Sequence, residues 1–303
     1  MRKIVIITGA NSGLGLNTGI KIAGASEEYR LILACRNMQK AETAKQEIMD
    51  KSKNKNVEIM ELDVSSLASV RSFVEKYRTK IGKPIYALLC NAGINGTNHG
   101  LTKDGFDVVF ESNHLGHFLL TNLLLSHMEP EGRIFVTSSD MHDSPMHKME
   151  WKGTEALAHP EPKLAKDTVR YSYSKLCNLY FVYELARRLK SKGCHICVNA
   201  FNPGLMETNF MPLTKASILF VKTTMPNRLG DLEKSSTALA ELVTSGELVR
   251  ESGLYYDRSI NPIRSSDLSY HEAYAKELWE TSELYVNLGK EKDLQKGQTG
   301  EQW

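Results

Sequence analysis

Short apolar runs, bounded by polar or glycine-rich stretches, recur along the chain at "KIVIIT" (3–8), "RLILAC" (30–35), "VEIMEL" (57–62), "IYALLC" (85–90), "RIFVTS" (133–138) and "HICVNAF" (195–201), with a shorter "GLYYD" from 253. Runs this continuously apolar suit strands buried on both faces, as in a parallel sheet. Helix-compatible segments separate them, over 38–52, 67–80, 105–128 and 172–192. Strand and helix in alternation build βαβ units. The pattern predicts a single doubly wound α/β domain over 1–290, with about seven strands in a parallel sheet and helices on both faces, followed by a polar tail over 291–303. Two segments break the alternation: 140–168, rich in His, Pro, Lys and Met, and 205–232, with two prolines among mixed apolar residues. Both follow expected strand ends. In an open α/β sheet the ligand crevice lies beyond those ends, so these insertions are expected to shape a substrate site.

Composition narrows the classes of function. The 303 residues are 41% hydrophobic, ample for a core, and 38 basic against 36 acidic residues leave a net charge of +2. That balance gives no electrostatic reason to expect nucleic acid or an anionic membrane as partner, and favours small-molecule chemistry. "MRKIVIITGA" passes from a short apolar run into a glycine-rich turn without a small-residue cleavage site, so it reads as a buried strand and not as a signal peptide. No run approaches the roughly 18 apolar residues of a membrane span. "ASILFV" (216–221) is the one piece suited to touching a membrane surface or covering a pocket. Five cysteines, at 35, 90, 177, 194 and 197, leave one over if paired; reduced thiols and a cytoplasmic location are expected. "CHIC" (194–197) falls in a strand-like run, where residues three apart point to opposite faces and do not converge on a metal. His114 with His117, or His142 with Asp143 and His147, match no zinc spacing, and no metal is expected. Nothing in the pattern selects an oligomeric state.

Candidate chemistry begins at "TGANSGLG", directly after the first strand. Gly9, Gly13 and Gly15 allow a sharp turn and close approach of a ligand. With Asn11, Ser12 and Leu14 they lead into a helix N-terminus that offers free N–H groups to a pyrophosphate. Arg36 follows the second strand, where a dinucleotide fold places the adenosine ribose; an arginine there pairs with a 2′-phosphate and favours NADP(H) over NAD. Asp63 and Val64 end the third strand and Asn91, Ala92 and Gly93 the fourth, as walls for adenine and ribose, or else as a helix cap and a plain turn. In "RYSYSKLCN" only Tyr171 lies four positions before Lys175, on the same helix face. Read alone, that helix also suits core tyrosines at 171, 180 and 183 with a solvent-facing lysine.

Four elements in order, TGxxxGxG, Asp-Val, Asn-Ala-Gly and Tyr-x-x-x-Lys, resemble the short-chain dehydrogenase/reductase family over nearly the whole chain. The resemblance implies a Rossmann-type domain, a nicotinamide cofactor, and hydride transfer between an alcohol and a carbonyl. It carries the family's tetrad onto Asn113, Ser139, Tyr171 and Lys175, with Ser138 as the alternative serine. It also implies that Pro203, Gly204 and Thr208 hold the nicotinamide carboxamide, that Lys175 binds the nicotinamide ribose, and that Asn113 anchors a proton-relaying water. A free phenol has a pKa of about 10, and a nearby ammonium favours its phenolate, so Lys175 is expected to activate Tyr171 as proton donor beside Ser139. The 32 residues from Ser139 to Tyr171 resemble the longer spacing of the retinol dehydrogenase and protochlorophyllide reductase branches. "YSYSKLCNLYFVYELARRL" and "YAKELWETSELYVNL" look like the latter, and Cys177 matches one of its cysteines. Leu205, however, stands where that branch has another. A leucine relays no proton, so the resemblance implies a dark NADPH-dependent reductase of a bulky apolar carbonyl compound, with a photoenzyme or a non-catalytic NADP-binding scaffold as alternatives.

Overall fold

A computed structural model describes residues 2–206, 222–245 and 251–288. Thr208, "ASILFV" and the tail over 291–303 lie outside the described residues. The first strand, β1 (Lys3–Thr8), leads through the glycine loop into α1 (Gly13–Ala25). Then come β2 (Tyr29–Cys35), α2 (Met38–Ser52), β3 (Val57–Glu61), α3 (Leu67–Lys80) and β4 (Ile85–Cys90). A composite helix follows, built from α4 (Val108–Phe110), a π-helical stretch (Glu111–Leu115) and α5 (Gly116–Leu124). The second half comprises β5 (Met128–Thr137), α6 (Thr154–Ala158), α7 (Asp167–Ser191), β6 (Cys197–Asn202), α8 (Leu232–Thr244), β7 (Tyr255–Asp257), β8 (Pro262–Ile263) and α9 (Glu272–Tyr285).

The strands form one sheet in the order β3-β2-β1-β4-β5-β6-β7-β8. All neighbours pair parallel except β7 with β8, where Tyr256 faces Pro262. The expected seven parallel strands are thus joined by a two-residue antiparallel edge. Strand order reverses between β1 and β4, which opens a crevice beyond their carboxyl ends. Alternate residues of β1 feed two separate cores: Ile4 and Ile6 pack on one face with α3, α5, α7 and α9, and Val5 and Ile7 on the other with α1, α2 and α8. Both sets are fully buried, which is why the strand reads as continuously apolar.

Local chemistry explains where sequence and structure differ. The helix expected from 105 starts at Val108, because the Asp107 carboxylate caps it, accepting from the amides of Val109 (3.0 Å) and Phe110 (3.1 Å). The helix expected from 172 starts five residues earlier, at Asp167. The strand expected from His195 starts at Cys197, since the Cys194 amide donates to Leu189 O (3.0 Å) and closes the end of α7. Cys194 therefore precedes the strand, and the opposite-face argument does not apply to it; neither Cys194 nor Cys197 is in a disulfide. Among the described residues no helix is long and apolar enough to cross a membrane.

Candidate active site

A cleft of about 920 Å³ runs across the carboxyl ends of β1, β4, β5 and β6. Its floor is the glycine loop. Gly9 takes a left-handed φ of 65°, and Asn11, Ser12, Gly13 and Leu14 line the cleft. Ser12 precedes α1 without capping it by its side chain, so the first amides of a 13-residue helix end at the cleft with no hydroxyl across them. Gly15 sits behind the wall against Asn91, where a Cβ would come within 2.6 Å of Nδ2. These features fit a pyrophosphate.

One hydroxyl fastens the loop to the next wall. Thr8 Oγ1 accepts from the amides of Asn91 (2.9 Å) and Ala92 (2.8 Å) and lies 2.9 Å from His117 Nε2. Asn91 Nδ2 in turn donates to Thr8 O at 2.9 Å. Asn91, Ala92 and Gly93 therefore line the cleft at a fixed height beside the glycine loop. The sequence showed Thr8 only as the start of TGxxxGxG and His117 only as a rejected metal ligand; their fastening role was hidden because the contacts span 83 to 109 residues.

At one end of the cleft stand Arg36, Asp63 and Val64. Arg36 is 71% exposed, with Nη1 3.9 Å from Asp63 Oδ2, a pairing loose enough to yield to a ligand. Lys40, one turn into α2, lines the same end and adds a second cation. Asp63 does not cap α3; Ser66 does, while Asp63 Oδ1 accepts from the Ser65 amide (3.0 Å) and hydroxyl (2.6 Å).

At the other end the tetrad divides. Ser139, Tyr171 and Lys175 line the cleft together, and the Ser139 hydroxyl hydrogen-bonds the Tyr171 phenol. Ser138, the alternative, turns into the core and donates to Lys175 O at 3.0 Å. Tyr173 is buried elsewhere, donating to Glu150 O at 2.6 Å. Asn113 lies behind the cleft wall. Its Nδ2 donates to Ile94 O and to Ser174 Oγ, each at 2.9 Å, and its Oδ1 accepts from the Ile94 amide at 2.8 Å. With its side chain committed, its main-chain carbonyl, which lies 3.4 Å from His117 Nδ1, is the group that could also hold a water.

Burial governs the electrostatics. Lys175 is 3% exposed, and desolvation pulls its ammonium down to about 8. Its Nζ donates to Thr137 O at 3.1 Å, and two of its three hydrogens have no acceptor among the described residues. Such a cation suits a ligand bearing hydroxyl acceptors. The Tyr171 phenol is pushed up to about 12 by desolvation; the Ser139 hydrogen bond lowers it and the Asp140 carboxylate raises it. The expected acidification by Lys175 is not what this geometry gives, because Nζ stands over the ring, 5.4 Å from its centroid, and burial outweighs it.

Pro203 and Gly204 line the cleft at the end of β6, Gly204 at φ 76° with its amide donating to Asn202 Oδ1 (2.9 Å). Both insertions reach the cleft: Met141, Pro145 and Met146 from the first, and Leu205, Met206, Met225 and Arg228 from the second. The rest of the first insertion docks on α9, where Glu277 accepts from Trp151 Nε1 (3.0 Å) and the Thr154 amide (3.1 Å).

Comparison with known proteins places this architecture. The short chain dehydrogenase family model matches residues 3–150. The chain is 34% identical to a WW domain-containing oxidoreductase of Gallus gallus, covering 94% of this chain and 68% of that one. It is 33% identical to retinol dehydrogenase 13 of Homo sapiens, covering 94% and 85% respectively. A solved structure from Mycobacterium paratuberculosis superposes with a TM-score of 0.73 at 29% identity, covering 94% of this chain and 93% of that one. Levodione reductase, at 22% identity and a TM-score of 0.66, shares the fold over 84% of this chain and 95% of its own. The chain belongs to the short-chain dehydrogenase family, oxidoreductases that bind nicotinamide nucleotides and act on an alcohol or carbonyl group.

Proposed function

We propose that the protein reduces the carbonyl group of a bulky apolar compound, with NADPH as hydride source and Tyr171 as proton donor. The observation that carries this reading is the meeting of Ser139, Tyr171 and Lys175 on one wall of the cleft. When bound, the nucleotide supplies the hydride. This chain's residues hold and protonate the oxygen. The Ser139 hydroxyl and the Tyr171 phenol are neighbours able to donate to one substrate oxygen. A phenol near 12 keeps its proton at neutral pH, yet an alkoxide is the stronger base, so transfer from Tyr171 runs downhill once negative charge has formed. Lys175 offers its remaining donors to the nucleotide, and the Asn113 carbonyl is the proposed water anchor.

Arg36 and Lys40 together support NADP(H) over NAD, since two cations at the ribose end match a 2′-phosphate. Four methionines at the opposite end, Met141, Met146, Met206 and Met225, suit a large and variable apolar body such as a retinoid, steroid, or aromatic or polyketide ketone or aldehyde. The names of two relatives, retinol dehydrogenase 13 and the 32% identical polyprenol dehydrogenase of Danio rerio, agree with that class. The photoenzyme reading draws less support. Cys177 is buried in the core with its thiol raised well above the ordinary value, and Leu205 occupies the cleft position.

The test is NADPH consumption in darkness across retinals, steroid ketones, quinones and aromatic ketones. We expect turnover of at least one class, lost by about a hundredfold or more in Tyr171→Phe while NADPH binding persists. Equal rates in the variant would overturn the assignment; turnover confined to protochlorophyllide under light would transfer it to the photoenzyme.

A further inference from the structure

Among the methionines at the substrate end of the cleft stands one arginine. Arg228 lines the cleft with Met141, Met206 and Met225 and is half-buried. The chain fixes its backbone from both sides. The Arg228 amide donates to Met225 O (3.0 Å) in the 3-10 turn Pro226–Arg228, and its carbonyl accepts from the amide of Leu205 (2.8 Å), the residue after Pro203 and Gly204. The guanidinium reaches across to the first insertion, where Nη1 donates to Asp140 O and Nη2 to Asp143 O, each at 3.2 Å. Both acceptors are main-chain carbonyls. Among the described residues no carboxylate forms an ion pair with Arg228. The Asp140 carboxylate is taken up by Asn202 Nδ2 (2.5 Å) and Arg258 Nη1 (3.3 Å), and Arg228 lowers it only through space. Asp257 pairs with Arg258 at 2.5 Å, and Asp143 is exposed to water.

A strut between two carbonyls uses two N–H groups, and a guanidinium has five. The others, with the positive charge, belong to a residue that lines a cleft walled by thioethers. A half-buried cation without a counter-ion is costly to keep, and one whose side chain is already held in place grips a planar carboxylate without further ordering. We infer that Arg228 forms a carboxylate-binding subsite, so that the substrate is a bulky apolar carbonyl compound bearing a carboxylate away from the group that is reduced. This inference rests on the proposed carbonyl reduction. The division of labour is that of an apolar pocket with one well-placed polar group: the methionines take the body of the substrate, and Arg228 orients it. Lys175 is the other cation near this end, but its place beside Ser139 and Tyr171 commits it to the reacting group and the nucleotide.

The experiment is equilibrium binding, under saturating NADP+, to wild type, Arg228→Gln and Lys175→Met. The probes are naphthyl ketones carrying a carboxylate on alkyl chains of graded length, each compared with its methyl ester. At the chain length that fits the cleft, wild type is expected to bind the acid about tenfold to a hundredfold more tightly than the ester, the worth of a charge-assisted hydrogen-bonded pair. In Arg228→Gln that ratio is expected to fall to near one. Damage to a mere strut would weaken acid and ester alike and leave the ratio in place. A ratio near one in wild type at every chain length overturns the inference. So does a ratio kept in Arg228→Gln, or one lost only in Lys175→Met, which would seat the carboxylate at the tetrad. Should Arg228→Gln not fold, a wild-type ratio that survives Lys175→Met supports the inference, and one that does not survive overturns it. NADPH consumption with the same pairs separates this inference from the proposed reaction. A binding ratio that stands while no ketone is reduced removes the reduction and keeps the carboxylate site; equal kcat/KM for acid and ester removes the site and keeps the reduction.

Discussion

Charge placement separates residues that bind from residues that brace. Arg36 is exposed and only loosely paired with Asp63, so turning toward a phosphate costs it little. We expect Arg36→Asp to weaken NADPH binding by about tenfold to a hundredfold, the worth of a charge-assisted hydrogen bond, and to shift preference toward NADH. Titrating the two nucleotides against wild type and variant would show it, and an unchanged preference would strike Arg36 from the site. Arg36, Tyr171 and Lys175 were legible in the sequence because each depends on local position: a strand end, or four residues along a helix. The roles of Arg228, Lys40, Thr8 and His117 were not. Thr8 matters because one hydroxyl meets the end of β4 and a ring on α5, and no local pattern announces contacts made across 83 to 109 residues.

The composite helix α4–α5 concentrates buried ionisable groups in its π-helical stretch and first α-turn. Glu111, His114 and His117 are all almost completely buried. Desolvation lifts the Glu111 carboxyl to about 8 and drops His114 to about 3 and His117 to about 4. Their effects on stability have opposite signs. Glu111 keeps a proton that the unfolded chain gives up, so its contribution falls as pH rises from about 4.5 through about 8. The histidines refuse a proton that the unfolded chain accepts, so theirs falls as pH drops from about 6.5 through about 4 and about 3. Taken together, this element is most stabilising near pH 6.5. We expect Glu111→Gln to abolish about 1–2 kcal/mol of the stability that wild type loses between about pH 6.5 and pH 8. Denaturant unfolding at the two pH values measures this; an equal loss in both proteins would contradict it. The sequence reading foresaw a helix here and not its π-helical stretch. An extra residue within a helix changes neither composition nor the approximate apolar spacing, and π-bulges often lie at functional sites.

At the scale of the molecule, the strand–helix alternation was readable because every central strand is apolar on both faces. The insertions were readable only as interruptions. That the first divides between cleft and α9 depends on Glu277, more than a hundred residues downstream of Trp151 and Thr154. The final strand, β8, escaped notice because two residues, one of them proline, carry no strand signal. Its smallness has a consequence for the protein in a crowd. A parallel sheet ending at β7 would present an open row of amides and carbonyls, a template on which another chain could polymerise. Pro262 brings no N–H to that border, and Ile263, 47% exposed, is the only other residue of the strand. We expect Pro262→Thr to refold as well as wild type when dilute but to become turbid sooner as concentration rises. Identical light-scattering curves would mean that the border is guarded by something else. Read this way, the last strand is a stop codon for the sheet: it ends β-pairing at the molecule's boundary.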